Sequence, residues 1–187
     1  MRKLLVLITI MALTLSNVIA QEQLKINTSK STVKWSGEYS FYFGGHNGTI
    51  SITEGYFIKT NTVITGGKFN IDMNSIICLD IEDDEANEGL INHLKNDDFF
   101  EVEKYPEATI EITAVEYHNN TSMKIYANLN IKGITLPESF QAEVDYSKQQ
   151  LTAKFKIDRQ RWGIDYKSKF RDGAIADGIG FEVILSL

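Results

Sequence analysis

One cysteine, two prolines and three histidines stand among 187 residues, and each scarcity excludes something. A single thiol, Cys78, closes no intrachain disulfide, so the fold rests on its core rather than on covalent staples. It lies in the apolar run Ser75-Ile76-Ile77-Cys78-Leu79, the setting of a buried, inert thiol. The histidines His46, His93 and His118 are scattered and lack H-x-H or H-E-x-x-H spacing, so no metal site is expected from them. Signatures of nucleophilic or phosphate chemistry are missing too: there is no G-x-S-x-G, no P-loop and no G-x-G-x-x-G after a strand. The chain is therefore not read as an enzyme, and no cofactor is expected.

Positive charge is the next shortage. Lys and Arg number 19 against 25 Asp and Glu, for a formal net charge of −6. With no basic stripe, nucleic acid is excluded as a partner, and adhesion to an anionic membrane by charge alone is disfavoured. Long apolar runs are absent after the first twenty residues, so the rest of the chain has no helical membrane segment.

Those first residues, Met1–Ala20, read as a signal peptide. Arg2 and Lys3 make the positive start, Leu4 to Leu15 the apolar stretch, and Val18-Ile19-Ala20 the cleavage region. Cleavage after Ala20 implies a periplasmic or secreted protein, Gln21–Leu187, that forms one domain. Loss of Arg2 and Lys3 makes it still more acidic. No Cys sits at the junction, so a lipoprotein anchor is not supported.

Period-two alternation dominates what remains. Val33 to Phe43 is aromatic-rich, and Ile50 and Ile52 alternate with Ser51 and Thr53. Val63, Thr65, Gly67, Phe69 and Ile71 share one face, as do Ile110, Ile112 and Ala114. The same holds for Ile125, Ala127, Leu129 and Ile131, for Phe140, Ala142 and Val144, and for Leu151, Ala153, Phe155 and Ile157. Phe181, Val183 and Leu185 close the chain. Strands with one apolar and one wet face make antiparallel sheets. Turn signals at Gly44-Gly45, Asn61, Gly66-Gly67, Asn119-Asn120 and Asp172-Gly173 separate them, and Pro137 implies a bent or edge strand. One helix is predicted over Glu85–Lys95, capped by Asp83 or Asp84, with Leu90, Ile91 and Leu94 on its apolar face. About eight such strands solve their edge problem by closing into a barrel, with a β-sandwich as the alternative. Small inward residues (Ala114, Ala127, Ala142, Ala153, Gly67) favour a cavity inside it.

Six motifs occur in order: Val33-Lys34-Trp35-Ser36-Gly37, His46-Asn47-Gly48-Thr49-Ile50, Ile64 to Asp72, His93-Leu94 through Tyr105-Pro106 and on to Ala108-Thr109-Ile110, Ala127 to Thr135, and Ile157-Asp158-Arg159-Gln160-Arg161-Trp162-Gly163-Ile164. Together they resemble the YceI-like family of exported proteins over nearly all of Lys30–Leu187. The resemblance implies an all-β fold, an extended eight-stranded antiparallel lipocalin-like barrel with one short helix. It also implies binding, sequestration or transport of a long-chain amphiphile, a polyisoprenoid or a fatty acid or amide, inside the barrel. The chain departs from the usual pattern in its acidic stretch Leu79–Glu88 and in Trp162, where Phe is common.

The candidate ligand-binding residues are Trp35, His46, Phe69, Phe100, Ile112, Ile131, Phe155, Arg159 and Trp162. Phe69, Phe100 and Trp162 suit a tunnel wall or an ordinary core equally, whereas Phe99 and Tyr105 read as core. Phe99 and Phe100, if extended, point to opposite sides, so only one faces inward. Arg159 either joins an ion pair that fastens a strand end or holds a phosphate or carboxylate head group. His46, among glycines, is the histidine best placed for a polar ligand contact. A filled barrel acting as a stress-response or interaction protein, or a hydrolase built on His46, are the other readings. Aromatics in Tyr39–Phe43 would allow a homodimer.

Overall fold

The computed structural model describes residues 21–40, 43–166 and 175–187. The expected leader Met1–Ala20, the aromatics Phe41 and Tyr42, and the Asp172-Gly173 turn signal lie outside the described residues. Among the described residues nine strands and one α-helix follow one another: β1 Gln21–Lys25, β2 Thr32–Tyr39, β3 Gly45–Thr60, β4 Val63–Cys78, α1 Asp84–Lys95, β5 Glu107–Tyr117, β6 Ser122–Ile131, β7 Ile134–Asp145, β8 Gln150–Asp158 and β9 Ile175–Ser186. All strand pairs are antiparallel, in the order β3-β2-β9-β8-β7-β6-β5-β4, and β4 pairs back onto β3. Eight strands thus close a barrel, and β1 adds to the far half of β3. The expected lipocalin-like barrel is correct, and closure removes the exposed edges that a sandwich would leave.

Length gives the barrel its extended shape. β3 and β4 are 16 residues each, about 50 Å at roughly 3.3 Å per residue. Their turn places Asn61 at φ 57°, a left-handed position that Asn tolerates. The β6–β7 hairpin turns through Lys132 (φ 49°) and Gly133 (φ 73°), the two positive φ values that a type I′ turn needs. The Tyr105 ring lies against Gly133, where an added Cβ would come within 2.9 Å of it. Tyr105 is therefore a docking residue, as its sequence setting implies.

Alternation is obeyed without a break in β6, where Met123, Ile125, Ala127, Leu129 and Ile131 are all buried. Two other strands correct the expected faces. A register shift between Ile112 and Ala114 in β5 turns Ala114 outward and Val115 inward. A second shift, opposite Ile58 and Lys59, turns Ile64 inward at the start of β4 and leaves Val63 and Thr65 exposed. Each bulge inserts one residue and exchanges the two faces beyond it.

Pro137 lies inside a continuous β7, opposite Asn128 of β6. Its other side faces no ladder, because β7 pairs with β8 only over Ala142–Asp145. A residue with no N–H is tolerated at such a local edge. The seam between the two strands is bridged by the 3-10 turn Arg159–Trp162. Arg161 pairs with Glu138 there and donates to the Pro137 carbonyl.

The core divides into two neighbouring clusters along the barrel. At one end Phe57, Met123, Ile125 and Leu151 are at most 2 % exposed, and the Tyr117 hydroxyl ties the β4 start by accepting from the Ile64 N–H (2.8 Å) and donating to the Ile64 carbonyl (3.2 Å). At the other end α1 packs Leu90 and Leu94 onto the barrel. Asp83 caps it by accepting from the Ala86 N–H at 2.8 Å, as its acidic start predicts. No described helix is long and apolar enough to cross a membrane.

Candidate functional site

An internal cavity of about 150 Å³ runs between the two core clusters, walled by residues of both. Since one water needs only about 10–15 Å³ on this scale, the space suits a narrow molecule rather than a single solvent. Ile125, Leu151 and Leu185 border it toward the sealed end; Tyr39, His46, Leu90 and Phe100 border it toward α1.

Eight of the nine candidate residues meet at this cavity: Trp35, His46, Phe69, Phe100, Ile112, Ile131, Phe155 and Arg159. Trp162 does not. Its side chain is fully buried at 0 % exposure, and its indole N–H donates to the Leu129 carbonyl at 3.2 Å. The 3-10 turn Arg159–Trp162 sets the ring in the core cluster beside Leu129 of β6. Trp162 is thus buried in the core and does not border this cavity.

Arg159 borders the cavity with its guanidinium already engaged. Its buried guanidinium donates to the carbonyls of Ala176 (3.3 Å), Ile164 and Tyr166 (3.2 Å) and to the Asp177 carboxylate (3.2 Å). Those bonds tie the Arg159–Trp162 turn to the start of β9, the strand-fastening role that was one of the two readings of this residue. The small inward residues are corrected as well. Of the five named for leaving room, only Ala153 borders the cavity. At Gly67, an added Cβ would meet the Tyr56 carbonyl oxygen at 2.7 Å, so this glycine serves close strand packing.

Phe99 and Phe100 both border the cavity. The segment after α1 is not extended: the Phe100 N–H donates to Leu94, the Glu101 N–H to Asn96, and Glu101 takes φ 50°. That turn brings both rings inward. Tyr39, Phe57, Phe140 and Phe181 also border the cavity without having been singled out. For Phe140 and Phe181 the signal was present, since both lie on recognised apolar strand faces.

His46 is the polar residue of the wall with a developed network. Its Nδ1 lies 2.9 Å from Asp80 Oδ2, and its Nε2 lies 2.7 Å from the Tyr39 hydroxyl. An ionised carboxylate only accepts, so Nδ1 carries the proton and Nε2 accepts from Tyr39. Asp80 also accepts from the Asn47 N–H (2.8 Å) and from the Cys78 thiol (3.2 Å). Burial pushes the Asp80 carboxyl up, but the Asn47, His46 and Cys78 bonds outweigh it and hold it below its ordinary range. Burial, reinforced by the neighbouring carboxylate, pushes the Cys78 thiol up. His93 and His118 are structural, as expected: His93 packs edge-on against Phe99 and Tyr166, and exposed His118 bonds Gln141 at 3.2 Å.

A closed eight-stranded barrel with an apolar interior and one helix over its end defines a lipocalin-like protein. The sequence profile of the YceI-like domain matches residues 24–187, and the chain belongs to the YceI-like family. It is similar to the UPF0312 protein of Staphylococcus aureus strain N315, 33% identical over 101 residues, which cover 49% of this chain and 56% of that one. The chain thus matches only about half the length of that relative. In fold it is similar to Burkholderia cenocepacia BcnA, at TM-score 0.69 and 17% identity, covering 86% of this chain and 98% of the other. The Campylobacter jejuni YCEI protein aligns at TM-score 0.50 and 21% identity, covering 65% and 72%.

Proposed function

We propose that this chain binds a long-chain amphiphile of the polyisoprenoid or fatty type inside its barrel, and carries or sequesters it in the periplasm or outside the cell. Met1–Ala20 acts as the export leader, cleaved after Ala20. The observation that carries this reading is the cavity that joins both core clusters, whose wall is aromatic and aliphatic apart from a few side chains already bonded to protein partners. Such a wall rewards hydrocarbon, at about 0.8 kcal/mol per methylene removed from water. It has no unengaged charge set among the described residues to draw a polar metabolite inward. Membership of the YceI-like family supports the same reading.

Native mass spectrometry of protein purified without detergent tests it, followed by organic extraction and by titration with isoprenoids and fatty amides. A discrete added mass that extracts as a long-chain amphiphile is the expected result. An apo mass together with failure of every added amphiphile to bind overturns the reading in favour of a filled barrel.

A further inference from the structure

Where β3 and β4 run side by side near α1, three residues of different metal-binding chemistry converge. His46 comes from the start of β3, Cys78 ends β4, and Asp80 follows two residues later. One ligand atom from each, an imidazole nitrogen, a sulfur and a carboxylate oxygen, all lie within 4.8 Å of one another. The strand pairing Gly48↔Cys78 and the Leu79 N–H to Asn47 carbonyl bond (2.9 Å) hold the two backbones together.

We propose that His46 Nδ1, Cys78 Sγ and Asp80 form a binding site for a thiophilic divalent cation of the zinc class, beside the cavity wall. Zinc takes sulfur, imidazole nitrogen and carboxylate oxygen at about 2.0–2.3 Å, which places tetrahedral donors about 3.3–3.8 Å apart. The His46–Asp80 pair at 2.9 Å and the Cys78–Asp80 pair at 3.2 Å need open only slightly to admit the ion. The imidazole proton moves through solvent from Nδ1 to Nε2, which frees the Nδ1 lone pair for the ion, and only the thiol proton is released. One thiolate and one carboxylate then balance its two positive charges.

An outer shell is already present. Metal-bound imidazoles hold their other nitrogen in a hydrogen bond, and metal-bound carboxylates are themselves anchored. Here Tyr39 occupies His46 Nε2, and the Asn47 N–H holds Asp80 Oδ1. On metal binding the Nε2–H of the shifted tautomer hydrogen-bonds to the Tyr39 hydroxyl oxygen, whose own proton turns away, with no change of ring orientation. His46 and Asp80 keep 31% and 26% of their side-chain surface exposed, so an ion enters from solvent and retains a water in the fourth position. The thiolate selects zinc, cobalt or copper over calcium and magnesium.

The test uses the full chain, processed by the cell, without a polyhistidine tag and stripped with a chelator. Zn²⁺ is titrated by calorimetry and Co²⁺ by absorption. One ion per chain is expected, and Co²⁺ should show a thiolate-to-cobalt charge-transfer band. Because Cys78 is the chain's single cysteine, that band has no other source, and its absence in the unaltered protein overturns the proposal. Cys78→Ser should abolish the band, and His46→Ala should weaken Zn²⁺ at least tenfold. Tyr39→Phe should weaken it by about tenfold, as loss of an outer-shell partner does, while His118→Ala should leave it unchanged. Binding that survives both Cys78→Ser and His46→Ala places the ion elsewhere and overturns the proposal.

Discussion

The rings of Phe140 and Phe155 stack with centroids 4.4 Å apart and planes 14° from parallel, across the seam where β7 and β8 stop hydrogen-bonding. Side-chain stacking takes over where the ladder ends, and Phe181 extends the stack from β9 at 5.3 Å. Phe140→Ala should therefore do two things. It should destabilise the protein by roughly 2–4 kcal/mol, below the upper end for a core Phe because the ring is half-exposed. It should also let solvent reach the cavity through the seam, read as faster hydrogen exchange in Lys154–Ile157 than in Met123–Ala127. Equal exchange in the two segments would show that the stack does not seal the wall.

Trp162 enters the core from the 3-10 turn that follows β8. Trp162→Phe keeps an apolar ring there but leaves the Leu129 carbonyl without its 3.2 Å donor. A stability loss of roughly 1–3 kcal/mol is expected in urea unfolding, with binding of a fluorescent fatty probe unchanged at temperatures where the variant is folded. A large loss of probe affinity in the folded variant would return Trp162 to the ligand site.

These two residues also mark where the sequence stops being legible. The alternation that names Phe140 and Phe155 as inward is local, and a period of two reads it directly. The barrel, the helix and most of the cavity wall follow from such patterns and from the family resemblance. The position of Trp162 depends on the 3-10 turn Arg159–Trp162 that interrupts the strand pattern, and nothing in the spacing announces it. Bulges such as the one at Thr113 are equally silent, because one inserted residue exchanges faces without altering composition. The His46–Asp80 contact joins positions 34 apart in sequence. The acidic run around Asp80 reads as a solvated loop until β3 and β4 are laid side by side.

The turn between β7 and β8 should govern part of the acid sensitivity. Asp145 accepts from the Ser147 hydroxyl (2.6 Å) and from the backbone N–H groups of Ser147 and Lys148 (3.0 and 3.1 Å). The Ser147 bond first, then Lys148, hold its carboxyl far below the usual range. A depressed folded-state pKa contributes stability that is full above the unfolded value, about 4, and is lost as pH falls through the folded value. Asp145→Asn should thus lower the melting temperature by a constant amount from pH 5 to 8, and the gap to the parent should shrink below about pH 4. A gap that stays constant down to pH 2 would mean that the turn's contribution does not depend on the carboxylate charge.

Phe99 and Phe100 offer the sharpest separation of folding from binding, because neighbouring rings border one cavity from different depths. Phe99 is 3% exposed and packs against His93 and Tyr166 at centroid distances of 5.1 and 5.4 Å. Phe100 is half-buried beside it, at 6.2 Å. Phe99→Ala removes the support of α1 and should cost about 3–5 kcal/mol of stability. Phe100→Ala leaves that packing in place and strips apolar surface from the wall. If a bound chain covers the Phe100 ring, its loss should weaken binding by about 1.5–3 kcal/mol, or roughly 10–100-fold, with a smaller effect on unfolding. Paired measurements of melting temperature and fatty-probe affinity on both variants decide it: opposite rankings support a ligand lying against Phe100, and identical rankings reduce Phe100 to core packing.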